Sequence, residues 1–127
     1  MIGIIGAMQE EVSALLNKAE ITKKNKLLDT VFYEGVIEGK EVVILQGGIG
    51  KVNSAVCTQI LISEYSVNKV INVGVAGGIG KDIYPGDIVV AENLVQHDMD
   101  TSVFGDKIGQ IPRLDTFDFK CDSELIS

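Results

Sequence analysis

Four short segments carry residue types that could do chemistry. Glu10 and Glu11 are adjacent carboxylates in "IIGAMQEEVSALL", directly behind the apolar run Ile2–Ile5. Such acids suit general acid–base work, and in a first helical turn they equally suit the helix dipole. Gly47-Gly48-Ile49-Gly50 and Gly74-Val75-Ala76-Gly77-Gly78 are glycine turns that let backbone approach a neighbour closely. His97-Asp98-Met99-Asp100 offers metal-ligand types, but one imidazole and two carboxylates in an extended segment fit local hydrogen bonding better than ligation.

The two glutamates separate by helical geometry. With Met8 set at zero and about 100° per residue, Val12 falls near 40°, Leu15 near −20° and Leu16 near 80°. Glu10 then lies at about 200°, on the solvent side, and Glu11 at about −60°, bordering the apolar stripe. A border carboxylate is partly desolvated, which predicts a raised pKa for Glu11 and suits a general base. The alternative is a plain dipole-complementing role.

The glycine turns fail the common phosphate patterns. A P-loop would need Gly at position 45 and Ser or Thr at 52, where Leu45 and Val52 stand. The dinucleotide fingerprint fails because Asn53 occupies the place of its third small residue.

The elements that must position these residues follow from periodicity. Ile2–Ile5 reads as a strand buried on both faces. A helix from about Met8 buries Met8, Val12, Leu15, Leu16 and Ala19. Val31–Ile37 and Glu41–Leu45 read as strands joined by Glu38-Gly39-Lys40. A second helix, about Lys51 to Glu64, carries Val52, Ala55, Val56 and Ile60 inward. Lys69–Val73 and Asp87–Val95 read as further strands. Lys23-Lys24-Asn25-Lys26 reads as a solvated loop, and 97–117 as a long loop punctuated by Gly105, Gly109 and Pro112. Strands alternating with helices predict an α/β fold with a largely parallel core sheet. Ligands in such folds bind at the carboxyl ends of the strands, where Gly6, Gly47–Gly50 and Gly74–Gly78 all fall.

Composition narrows the class. The chain has 127 residues, 46% hydrophobic, with a net charge of −7. That is enough for a real core, and the charge disfavours a nucleic-acid surface. Cys57 and Cys121 are far apart, which disfavours a disulfide framework or zinc site and fits a reducing, cytoplasmic setting. No signal-peptide pattern opens the chain, and no apolar run approaches the roughly 20 residues of a membrane helix. Asp122 is a good N-cap for a helix beginning at Ser123. Only five residues follow Asp122, and one isolated turn is unstable. The expectation is that residues 1–127 are the N-terminal part of a single longer domain.

Together, "IGIIGAMQEEV", "GGIGKVNSA", "INVGVAGGI", "PGDIVVAE" and "HDMDTSVFGDKIGQIP" resemble the methylthioadenosine/S-adenosylhomocysteine nucleosidases, in order along nearly the whole chain. The resemblance implies a purine nucleoside phosphorylase-like fold, a three-layer αβα sandwich with a mixed, largely parallel central sheet. It implies hydrolysis of the N-glycosidic bond of 5′-methylthioadenosine and S-adenosylhomocysteine, releasing adenine and a thioribose in methionine salvage and adenosylhomocysteine removal. It also implies a homodimer working without cofactor or metal, with no nucleic-acid or membrane partner. Family members are about twice this length.

Matched position by position, Glu11 corresponds to the glutamate that activates water. Met8 and Ile49 correspond to residues near the ribose and the water. Val75, Ala76 and Gly77 correspond to the turn beneath base and sugar. Thr101, Phe104 and Pro112 correspond to a loop lining the partner subunit's 5′-alkylthio pocket. Val75 departs from the serine of many members, which removes a polar contact. The family's general acid, its ribose-holding glutamate and methionine, and its adenine-reading backbone have no counterpart among residues 1–127, so the isolated chain is expected to be inactive and association-prone. The alternatives are a nucleoside phosphorylase of the same fold and a non-catalytic nucleoside-binding module. The first is disfavoured because Ala7–Val12 holds no Arg for phosphate and Glu11 would repel it.

Overall fold

Alternate residues of the first strand face two different cores. β1 (Ile2–Gly6) and β4 (Lys40–Gln46) run parallel in adjacent positions, with Ile4 opposite Ile44 and Ile5 opposite Leu45. Because side chains alternate across a strand, Ile4, Val42 and Ile44 form one cluster with Val12 of helix α1 (Gln9–Lys18). Ile5, Val43 and Leu45 form the other with Phe32 and with Cys57 and Leu61 of helix α2 (Lys51–Tyr65). One helix therefore covers each sheet face, and burial on both sides explains the unbroken apolar runs.

The computed structural model describes residues 1–127, in two compact units, Met1–Gly77 and Gly78–Ser127. The first contains a five-stranded mixed sheet that adds β2 (Glu20–Leu27), β3 (Thr30–Ile37) and β5 (Lys69–Asn72). Its order is β2-β3-β4-β1-β5. The β4-β1 and β1-β5 pairs are parallel, and β2-β3 and β3-β4 are antiparallel. Glu38 and Gly39, at φ 48° and 78°, make the tight β3–β4 turn, since two positive φ angles match the twist of a hairpin. Gly3 admits α2 closely: a Cβ there would lie 2.7 Å from Leu61 Cδ1.

Three expectations are corrected. Lys23-Lys24-Asn25-Lys26 is not a loop but the middle of edge strand β2. Its faces are mostly exposed, so no apolar alternation marks it, and lysines are suited to guarding an open edge. Asn25 Nδ2 donates to Glu34 Oε1 at 3.0 Å, and Lys24 Nζ sits over the Tyr33 ring. In α2, the buried residues are Cys57 and Leu61, with Ile60 packing beside them as expected. Val52, Ala55 and Val56 instead face outward, Val52 at 77% exposure. Apolar residues of this helix are spread around its whole circumference among polar ones, so periodicity could not select its inner face.

The third correction falls in the second unit. Of Asp87–Val95 only β6 (Asn93–Leu94) is a strand, paired antiparallel with β7 (Phe119–Lys120). A strand needs a ladder partner, and Asp87–Glu92 are exposed. The 97–117 segment is irregular apart from a 3₁₀ turn at Ser102–Phe104. Helix α3 (Ser123–Ile126) is capped by Asp122, whose Oδ1 accepts the N–H groups of Glu124 at 2.9 Å and Leu125 at 3.2 Å.

Candidate active site

Glu11 stands at the third position of α1, where its carboxylate turns back on the chain. Oε2 accepts the backbone N–H groups of Ala7 at 2.7 Å and Met8 at 2.9 Å. Met8 is the helix N-cap, so this is the carboxylate half of a capping box. Oε1 accepts the N–H of Val75 at 3.2 Å, across 64 residues of sequence. The register makes this possible. Parallel β1 and β5 end side by side, and Val73 N–H donates to Ile5 O at 2.9 Å.

Two glycines leave room for the carboxylate. A Cβ on Gly74 would lie 2.8 Å from Glu11 Oε1, and one on Gly6 would lie 2.6 Å from Val12 Cγ1 and 3.1 Å from Glu11 Cβ. Both are therefore packing requirements of this corner.

Helical position alone predicts that desolvation raises the Glu11 pKa, and the structure reverses the sign. Hydrogen bonds from the Met8 amide, then the Val75 amide, hold the carboxyl below its ordinary value. Partial burial opposes them, and the Ala7 amide adds to them. Donors aimed at the charged form outweigh the loss of solvent. A carboxylate has about four lone-pair positions. Both of those on Oε2 are taken, and Oε1 keeps one for a further donor. Glu10 is exposed, as its helical angle predicted.

Met8 and Ile49 come together in a shallow groove of about 440 Å³, lined also by Ala7, Gln9, Glu10, Gln46 and Gly48. Ile49 is 75% exposed. Gly48 (φ 83°) and Gly50 (φ 102°) give the turn its left-handed corners. Asn53 Nδ2 pins that turn by donating to Ile49 O at 2.8 Å. In the sequence Asn53 stands out only as the residue that breaks a dinucleotide motif; a polar side chain in the first turn of a helix is the available signal for its role. A neighbouring cleft of about 520 Å³ between Gln9, Asp29, Thr30, Tyr33, Gln46 and Asn53 has no sequence signal.

Val75, Ala76 and Gly77 leave β5 as exposed backbone, with Val75 tied to Glu11. Thr101, Phe104 and Pro112 belong to the second unit. Thr101 Oγ1 donates to Asp106 Oδ2 at 2.9 Å, across the 3₁₀ turn. Asp100 Oδ1 accepts the Ser102 N–H at 3.0 Å. Phe104 projects from this braced turn at 85% exposure, and Pro112 is exposed. No group of three or more His, Cys, Asp or Glu side chains is placed to share a metal ion. No helix is long and apolar enough to cross a membrane.

A family model described as the phosphorylase superfamily matches residues 1–127, and the chain belongs to that superfamily. It is 42% identical over 126 residues to the 5′-methylthioadenosine/S-adenosylhomocysteine nucleosidase of Staphylococcus haemolyticus, covering 99% of this chain and 55% of that protein. The nucleosidase of Halalkalibacterium halodurans is 42% identical over 125 residues, covering 98% and 54%. The crystal structure of the Neisseria meningitidis nucleosidase in complex with methylthio-immucillin-A superposes with a TM-score of 0.93 at 40% identity, covering 98% of this chain and 54% of that one. The chain spans about half the length of the curated relatives it matches.

Proposed function

We propose that residues 1–127 are the N-terminal half of a nucleosidase that hydrolyses the N-glycosidic bond of 5′-methylthioadenosine and S-adenosylhomocysteine. The observation that carries this reading is the Glu11 carboxylate, held ionised by three backbone N–H groups at the carboxyl ends of parallel β1 and β5. The two relatives named above, and the structure bound to a methylthio ligand, support the substrate class.

In this mechanism Glu11 Oε1 receives a hydrogen bond from water and takes its proton as the water oxygen bonds to C1′. The C1′–N9 bond breaks, and its electron pair leaves with adenine. An acid outside residues 1–127 supplies the proton that adenine needs. The sugar passes through an oxocarbenium-like state, which a nearby carboxylate stabilises. The lowered pKa keeps Glu11 charged throughout the neutral range; it is a weak base, and it takes the proton as the water oxygen, bonding to the cationic C1′, becomes acidic.

Met8, Ile49, Val75, Ala76 and Gly77 flank the ribose and base in this proposal. Thr101, Phe104 and Pro112 line the 5′-substituent pocket of a partner subunit in a homodimer. The setting proposed is the cytoplasm, and no cofactor enters the reaction. A phosphorylase is disfavoured because an ionised Glu11 beside the sugar would repel phosphate.

The test is product analysis on the complete polypeptide, with methylthioadenosine in phosphate-free buffer. Release of free methylthioribose and adenine is expected. A requirement for phosphate, with a sugar 1-phosphate as product, would establish the phosphorylase instead. Binding without turnover would establish a nucleoside-binding module.

A further inference from the structure

One side chain organises the end of the 97–117 loop. The two N–H groups of Gln110 Nε2 are shared among three backbone carbonyls, those of Leu114 at 2.7 Å, Ile111 at 2.9 Å and Thr116 at 3.3 Å. Inside this set, Leu114 N–H donates to Ile111 O at 3.2 Å and closes a four-residue turn. Pro112 is its second residue and Arg113 its third. Arg113 has φ 66°. Proline followed by a left-handed third residue is the pattern of a type II turn, whose third position normally goes to glycine. An arginine there is strained, and such a conformation persists only where its surroundings over-determine it.

Gln110 supplies that constraint, gripping the carbonyls at both ends of the turn and one beyond it. Its own backbone is anchored. Gln110 N–H donates to Lys107 O at 2.9 Å, and Gly109 N–H donates to Met99 O at 2.7 Å. Gly109 is buried, and a Cβ on it would lie 2.6 Å from Val95 Cγ1. The carboxamide is the group this position needs, because carbonyl oxygens require a donor. A carboxylate of the same shape would set acceptor against acceptor.

We propose that Gln110 is a positioning residue for the 5′-substituent pocket: it holds the strained Ile111–Leu114 turn so that Pro112 meets the substrate in a single conformation. The proposal rests on the reading of Pro112 as a pocket residue given above. Gln110 touches no reacting atom, so its removal acts on binding of the thioalkyl group and not on bond cleavage.

The experiment measures kcat, and affinity for methylthioadenosine and for adenosine, in the complete polypeptide carrying Gln110→Ala or the isosteric Gln110→Glu. Methylthioadenosine binding is expected to weaken about tenfold, with kcat and adenosine binding held within about twofold. Adding Arg113→Gly should recover about threefold or more of the lost affinity, because glycine adopts the left-handed corner without strain. If Gln110→Ala does not fold, the Gln110→Glu and Gln110→Glu/Arg113→Gly pair makes the same comparison. Equal losses on both nucleosides, or no recovery from Arg113→Gly, would overturn the proposal and leave Gln110 a purely structural residue. Pro112→Ala in the otherwise unchanged enzyme separates the two readings. If it leaves the preference for methylthioadenosine over adenosine untouched, the pocket assignment fails and the proposal falls with it, even where Gln110→Ala still speeds hydrogen exchange at the Leu114 N–H.

Discussion

Glu11 Oε1 accepts the Val75 backbone N–H at 3.2 Å, and this one hydrogen bond joins the start of α1 to the segment leaving β5. It brings the candidate base and the candidate floor of the sugar site into contact.

Glu11→Gln in the complete polypeptide should retain nucleoside binding and lose about 10²–10⁴ in turnover, the usual range for a general base. Glu10→Gln should leave turnover close to wild type, because Glu10 is solvated. Steady-state kinetics paired with equilibrium binding makes the comparison, and equal losses from both substitutions would reduce Glu11 to a helix-dipole charge.

The lowered Glu11 pKa has a definite sign. The folded form prefers the charged carboxylate, so its stabilising contribution is fully present above the ordinary glutamate value of 4.5 and is lost as pH falls below that through the folded pKa. Glu11→Gln should therefore flatten the decline of folding stability on the acid side of that value. Denaturation midpoints followed from neutral to acid pH test this, and an unchanged acid slope would contradict it.

Gly74→Ala would bring a methyl group to 2.8 Å from Glu11 Oε1. The carboxylate must then move off the Val75 N–H, and its pKa should rise toward the ordinary value. A ¹³C carboxyl titration of Glu11 in the two chains reads this directly, with a higher midpoint expected in the variant.

Phe104 is 85% exposed and buries nothing within its own unit. Phe104→Ala should leave the folding stability of the chain nearly unchanged. In the complete enzyme it should weaken methylthioadenosine binding by roughly 10- to 150-fold, the equivalent of burying one Phe side chain, about 1.5–3 kcal/mol. Adenosine should lose much less. Calorimetry on both nucleosides, with dimer content followed by sedimentation, decides it; equal losses with the dimer intact would remove Phe104 from the pocket.

The 127-residue chain by itself should self-associate and show no hydrolysis. Val52, Ala55 and Val56 lie together on one exposed face of α2, and a contiguous exposed apolar face favours association. Sedimentation across a concentration series tests the first claim, and adenine release tests the second.

Much of this architecture is legible in the residues. The apolar run at Ile2–Ile5 announces a strand covered on both faces, because only burial on both sides tolerates an unbroken run. The 3.6-residue period of α1 separates Glu10 from Glu11 by itself. The glycine turns fall at the carboxyl ends of the parallel strands, and Asp122 marks a helix start that the structure contains. The matched motifs identify the superfamily.

What the residues could not decide was set by long-range partners. The inner face of α2 depends on which side of a helix with apolar residues all round meets Ile5, Phe32 and Leu45, and no local period records that choice. Strand β2 exists because β3 supplies its ladder, although its own side chains read as a solvated loop. The lowered pKa of Glu11 comes first from the Met8 amide of its own helix cap and then from the Val75 amide, 64 residues away, which no local pattern records. Helical angle alone places the carboxylate at the border of the core and suggests a raised pKa. The local capping box sets the Met8 and Ala7 N–H groups against it, the tertiary fold adds that of Val75, and together these donors lower the pKa instead.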